Sequence, residues 1–232
     1  MRCNVVYAST VWACVKKLEK LYQNDNLKEG DTLILKIDNP TINDLPIQHF
    51  DVYKRFFGNL NEGWKSDSVE FYYSFKRRLM DEENLGQFEK GIVTLLNNEK
   101  SRRCVLCANR PSDSIDYRPA LVAITFSIHD DKLKMNVHWR SQEIFYALPI
   151  NLIQMFSIMN LFVNKLKSKY HNLQMGEYVQ YIDNVCIHDS INKNNTNIIQ
   201  MWKSIDIELN QELKFLWSIV FKNKEAEYDG NY

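Results

Sequence analysis

The chain is poor in glycine. Only seven occur in 232 residues, and none sits in a glycine-rich loop of the kind that cradles phosphates. There is no Ser-His-Asp set and no cluster with metal-ligand spacing. Nor is there an excess of either charge: Lys+Arg and Asp+Glu both total 29. A balanced chain carries no broad electrostatic footprint for nucleic acid or an anionic membrane. No apolar run is long and clean enough to span a bilayer. The longest, 148–166, is interrupted by Asn151, Gln154, Asn160, Asn164 and Lys165, which marks a buried helix of a soluble protein. The opening Met1-Arg2-Cys3-Asn4 turns polar too early for a secretory leader. Five cysteines is an odd number without secretory context, so reduced thiols in a cytoplasm are expected. The sequon Asn194-Asn195-Thr196 is then a chance match.

What is present is enough apolar material for one substantial core, at 45% hydrophobic residues. No linker divides it. We expect one domain over 1–222 and a polar tail over 223–232. Apolar spacing predicts helices over 10–22, 70–80, 89–96, 151–170 and 207–220. The 151–170 segment is apolar nearly all round, so it belongs in the core. Strands are expected over 32–37, 103–108, 121–128, 134–139 and 177–186, with His129-Asp130-Asp131-Lys132 turning a hairpin. Lys28-Glu29-Gly30-Asp31 reads as a turn and 190–196 as an Asn-rich loop. The elements give an α+β chain whose mixed sheet packs against a long buried helix.

Several residues invite a chemical reading. Arg102-Arg103 opens a predicted strand. Paired arginines are usually solvated, but the planar guanidinium is also the natural phosphate ligand. Asn151 opens the buried helix, where it would serve as an N-cap. Cys104 and Cys107 are three apart on a predicted strand. An odd separation there sends the thiols to opposite faces, so core packing is expected and not chelation. His129 and His138 read as surface or packing histidines.

The run Tyr117-Arg118-Pro119-Ala120-Leu121, then Arg140-Ser141-Gln142-Glu143, then Ala147-Leu148-Pro149-Ile150-Asn151 resembles the thymidylate synthase family, which includes the pyrimidine nucleotide hydroxymethylases. Arg140 follows Ala120 at the family's interval of twenty residues, and Ser101-Arg102-Arg103 matches a Ser-Arg-Arg segment. The resemblance covers about 72–188; Trp64, Tyr72 and Arg77 match only loosely. It implies a thymidylate synthase-like fold and a homodimer formed through the sheet. It implies a pyrimidine nucleoside monophosphate held by Arg102, Arg103, Arg140, Ser141 and Asn151. Arg102 and Arg103 would reach across the interface to the partner's phosphate. Glu143 stands where the family orders a reduced folate such as methylenetetrahydrofolate.

The same resemblance puts Ala120 at the position of the cysteine nucleophile. Family chemistry at pyrimidine C5 starts with thiolate attack on C6, which a methyl group cannot perform. Cys186 and His188 stand at the family's sugar-binding His and Tyr. Thr125 and Ala147 also depart from the pattern, as does the tail. Three readings follow: a C5 methyltransferase or hydroxymethylase lineage inactive in this chain, a naturally non-catalytic nucleotide-binding homologue, or an enzyme with altered chemistry on Cys186 and His188.

Overall fold

The computed structural model describes residues 2–38, 40, 79, 86–109, 119–145 and 147–187. The expected helices over 70–80 and 207–220, the 190–196 loop and the tail lie outside these residues, apart from Leu79. So do Trp64, Tyr72, Arg77 and His188.

Six strands form one mixed sheet: β1 Cys3–Ala8, β2 Thr32–Ile37, β3 Val105–Cys107, β4 Leu121–His129, β5 Lys132–Trp139 and β7 Gln174–Ile182. Their spatial order is β1-β2-β7-β5-β4-β3. A second, two-stranded ladder pairs β6 Gln142–Glu143 with β8 Val185–Cys186. The helices are α1 Val11–Gln23, α2 Gln87–Asn97 and α3 Ala147–Leu166. This bears out the α+β expectation.

Local chemistry explains the elements. Thr10 is extended, and its hydroxyl accepts from the Ala13 N–H to cap α1. The β4–β5 hairpin turns on Asp130 and Asp131, both at positive φ (49° and 56°), which Asp tolerates better than most residues. Alternation along β5 is clean: Leu133, Met135, Val137 and Trp139 are buried between half-exposed Lys134, Asn136 and His138. Gly176 is required by packing. A Cβ there would lie 2.9 Å from the Leu133 carbonyl oxygen, where β5 and β7 shift register.

The described helices cover one face of the sheet. Phe162 of α3 stacks on Phe126 of β4 (ring centroids 3.9 Å apart) and meets Phe88 of α2 edge-on at 4.7 Å. Phe156 meets Tyr178 of β7 edge-on at 5.0 Å. The other face exposes Val5, Tyr7, Val105 and Tyr181. There Glu177 of β7 pairs with Lys36 of β2 and Lys134 of β5.

Three expectations need correction, and one strand was not expected. α3 starts at Ala147, not Asn151, so Asn151 lies inside the helix and is not its cap. Pro149 misled the reading, yet proline fits a helix's first turn, where its missing N–H has no intrahelical partner. The strand expected over 103–108 is only Val105–Cys107. The strand expected over 177–186 starts at Gln174 and breaks at Asp183-Asn184 before β8. β1 was not anticipated: it is a short edge strand whose exposed side carries Val5 and Tyr7, which blurs its alternation.

Candidate functional site

At one end of the sheet the carboxyl ends of β5 and β7 meet the start of β4 and the turn before β2. Main-chain bonds sew this end together. The Arg140 N–H donates to the Ala120 carbonyl (2.9 Å), and the Asp183 N–H to that of Trp139 (3.0 Å). The Asn184 carbonyl accepts from Gln142 N–H (3.1 Å), and its side-chain amide donates to the Arg140 carbonyl (3.0 Å). The Gly30 N–H donates to Val185 (2.8 Å), and the Val185 N–H to Asp31 (2.8 Å). Gly30 sits at φ +80°, a conformation that suits glycine.

Asp31 holds this turn in place. Its buried carboxylate accepts from the Arg2 N–H (2.8 Å) and the Lys28 N–H (3.0 Å). Burial pushes its pKa up, but those two amides and nearby positive charge outweigh burial, so it titrates below its ordinary value.

Of the sequence-proposed residues, the structure gathers Ala120, Arg140, Ser141, Glu143 and Cys186 at this end. The exposed Arg140 is tethered by Nε to the Pro119 carbonyl (3.3 Å) and leans on Ser141 Oγ (3.5 Å). Ala120 is half-buried and packs against the core. Asn151 lies one turn into α3, half-buried.

Glu143 has a role the sequence reading missed. Its carboxylate accepts from Phe145 N–H (3.0 Å to Oε1, 3.1 Å to Oε2) and Ala147 N–H (2.9 Å), so it caps α3. An acid engaged this way does not fit a free folate-ordering group. Glu143→Ala should lower unfolding stability by about 1–2 kcal/mol, the loss of a charged helix cap. Urea unfolding of the two proteins checks this.

Cys186 lies opposite Glu143 in the β6–β8 ladder. Burial pushes its thiol pKa up, Glu29 and Glu143 push it further, and Arg140 opposes only in part. It is therefore a thiol and not a thiolate at neutral pH. Glu29 is a residue the sequence reading missed. Its turn was legible, but nothing local revealed that the turn lands beside β8.

Arg102 and Arg103 are not gathered. Both are exposed, and they precede β3. The β3–β4 and β4–β5 registers place them level with Leu133 and Lys134, whereas Arg140 follows the far end of β5. At about 3.3 Å per residue, that is about 20 Å along the strand. The CxxC thiols face opposite ways as expected, but only Cys104 packs in the core; Cys107 is exposed. His138 is a surface residue whose Nε2 meets the Asp183 carboxylate at 2.9 Å. Among the described residues, no group of three or more His, Cys, Asp or Glu could hold a metal ion. No described helix is long and apolar enough to cross a membrane.

A mixed sheet with the described helices on one face, and with Arg140, Ser141, Glu143 and Cys186 gathered at one end, defines an α+β protein. Residues 32–216 match the thymidylate synthase family, and the chain belongs to it. It is similar to a thymidylate synthase of Corynebacterium aurimucosum, 28% identical over 101 residues, or 43% of this chain and 36% of that protein. It is also similar to one from Aster yellows witches'-broom phytoplasma, 24% identical over 163 residues, or 66% of this chain and 54% of that protein. The chain thus matches between about a third and about half the length of these curated relatives.

Proposed function

We propose that this chain binds a pyrimidine nucleoside monophosphate at the Arg140–Cys186 end of the sheet, as a homodimer, and does not carry out one-carbon transfer to C5. The observation that carries the reading is the tethering of Arg140 to the Pro119-Ala120 backbone. A guanidinium held on the chain beside the nucleophile position is a prepared phosphate ligand, and the nucleophile itself is a methyl group.

The wide separation of Arg102 and Arg103 from Arg140 supports the dimer. If all three serve one phosphate, two copies must supply them. The sheet face carrying Val5, Tyr7, Val105 and Tyr181 is the surface available for that pairing. An enzyme built on Cys186 is disfavoured, because burial, and then Glu29 and Glu143, raise its thiol pKa and work against a thiolate. Arginines that match the family's phosphate ligands, together with an alanine at the nucleophile position, fit a non-catalytic nucleotide-binding member of the family.

Calorimetric titration with dUMP, UMP, dCMP and CMP tests the reading. Saturable binding of a uracil nucleotide, stronger than its cytosine counterpart, is expected because Asn151 offers a donor and an acceptor together. If none of the four binds, the reading fails.

A further inference from the structure

Gln142 is 4% exposed, while its neighbours Ser141 and Glu143 are only half-buried. It ends a buried hydrogen-bond chain. The Tyr178 hydroxyl donates to Gln180 Oε1 (2.5 Å), and Gln180 Nε2 donates to Gln142 Oε1 (2.5 Å). Tyr178 and Gln180 are both 0% exposed. The chain stops at Gln142 Nε2, which is buried and has no acceptor.

The direction of the chain is set by the phenol. Turning the Gln142 amide alone would oppose two NH2 groups. Turning both amides would leave the Tyr178 hydroxyl hydrogen and Gln142 Oε1 without partners. The arrangement described leaves one atom unsatisfied; the alternatives are worse. A buried amide N–H without an acceptor destabilises a fold, and native structures hold few of them. Methionine would fill nearly the same volume without that penalty. The orphan lies on β6, in the segment that carries Arg140, Ser141 and Glu143, opposite Val185–Cys186.

We infer that Gln142 is a ligand-binding residue of this site: its Nε2 donates to a carbonyl oxygen of the bound base, directly or through one water. The inference rests on the nucleotide reading above and adds a ligand contact from the buried side of β6. Tyr178 and Gln180 act as positioning residues that fix which end of the amide faces outward.

The test compares the wild-type chain, Gln142→Met, and the triple variant Tyr178→Phe/Gln180→Met/Gln142→Met by thermal unfolding and by titration with dUMP and UMP. The triple variant removes donors and acceptors together, so its unfolding midpoint should equal or exceed that of wild type. Both variants should bind the nucleotide about tenfold more weakly, the value of one buried hydrogen bond. Wild-type affinity in a folded Gln142→Met protein would overturn the inference and leave the nucleotide reading standing. A triple variant with a clearly lowered midpoint would show a purely structural chain and overturn it too. If the wild-type chain binds neither nucleotide, both readings fall together.

Discussion

Replacing Arg140 by alanine is expected to weaken nucleotide binding by about 2–3 kcal/mol, roughly 30- to 150-fold, while leaving unfolding stability nearly unchanged. The reasoning starts from the tether. Arg140 Nε donates to the Pro119 carbonyl and Nη1 leans on Ser141 Oγ, but the residue itself is exposed, so removing it costs the fold little. What is lost is a charge-assisted, two-pronged contact to phosphate. Arg140→Lys should fall between, since it keeps the charge and loses the fork. Calorimetry with the nucleotide that binds best supplies the comparison, and wild-type affinity in Arg140→Ala would refute the assigned site.

A mixing experiment extends the argument to the dimer. Neither Arg140→Ala nor Arg102→Ala/Arg103→Ala should bind well alone. Co-refolded, they form heterodimers in which one site holds all three arginines and the other holds none. Recovery of full-affinity binding at substoichiometric occupancy is the signature of a site shared between chains. No recovery would put Arg102 and Arg103 outside the site.

The sheet was legible where side chains alternate and turns are local. β4 and β5 announced themselves by period-2 burial and by the polar Asp130-Asp131 turn. α3 was legible in kind but not in its boundary, because a helix start is set by cap geometry. Its cap is Glu143, an acid four residues before Ala147, and no pattern of apolar spacing reports a carboxylate reaching forward to amides. The site was legible as a set of residue types through family resemblance. Its arrangement was not. That Arg102 and Arg103 stand far from Arg140 follows from strand register, and that Glu29 acts on the Cys186 thiol follows from a main-chain bond between distant segments, Gly30 to Val185. Both are long-range facts that a linear pattern does not encode. Gln142 escaped notice for a related reason: an orphaned amide is defined by what surrounds it.

A second large effect is expected in alkali, and it comes from thiols that play no part in binding. Burial pushes the Cys14 and Cys104 thiols up to about 12 from an ordinary value of 9.0. Both are essentially inaccessible, and Cys104 Sγ donates to the Gly91 carbonyl (3.4 Å). A group whose pKa is raised by folding favours the folded state fully below its unfolded pKa. That contribution is lost as pH climbs from about 9 towards 12, because the unfolded chain releases the proton first. Each thiol then removes about 1.4 kcal/mol of stability per pH unit in that window, so the pair removes about 5 kcal/mol between pH 9 and 11. The buried Tyr178 phenol, also raised, acts in the same direction at higher pH. Urea midpoints measured at half-unit steps from pH 8 to 11 should fall steeply for the wild-type chain. The Cys14→Ala/Cys104→Ala variant should start from a lower plateau, since two packed side chains are trimmed, yet show a distinctly shallower decline. Slopes are compared, so the packing loss does not confuse the result. Parallel declines would mean that the two thiols ionise freely in the folded protein and that the core around them is far more open to water than their burial indicates.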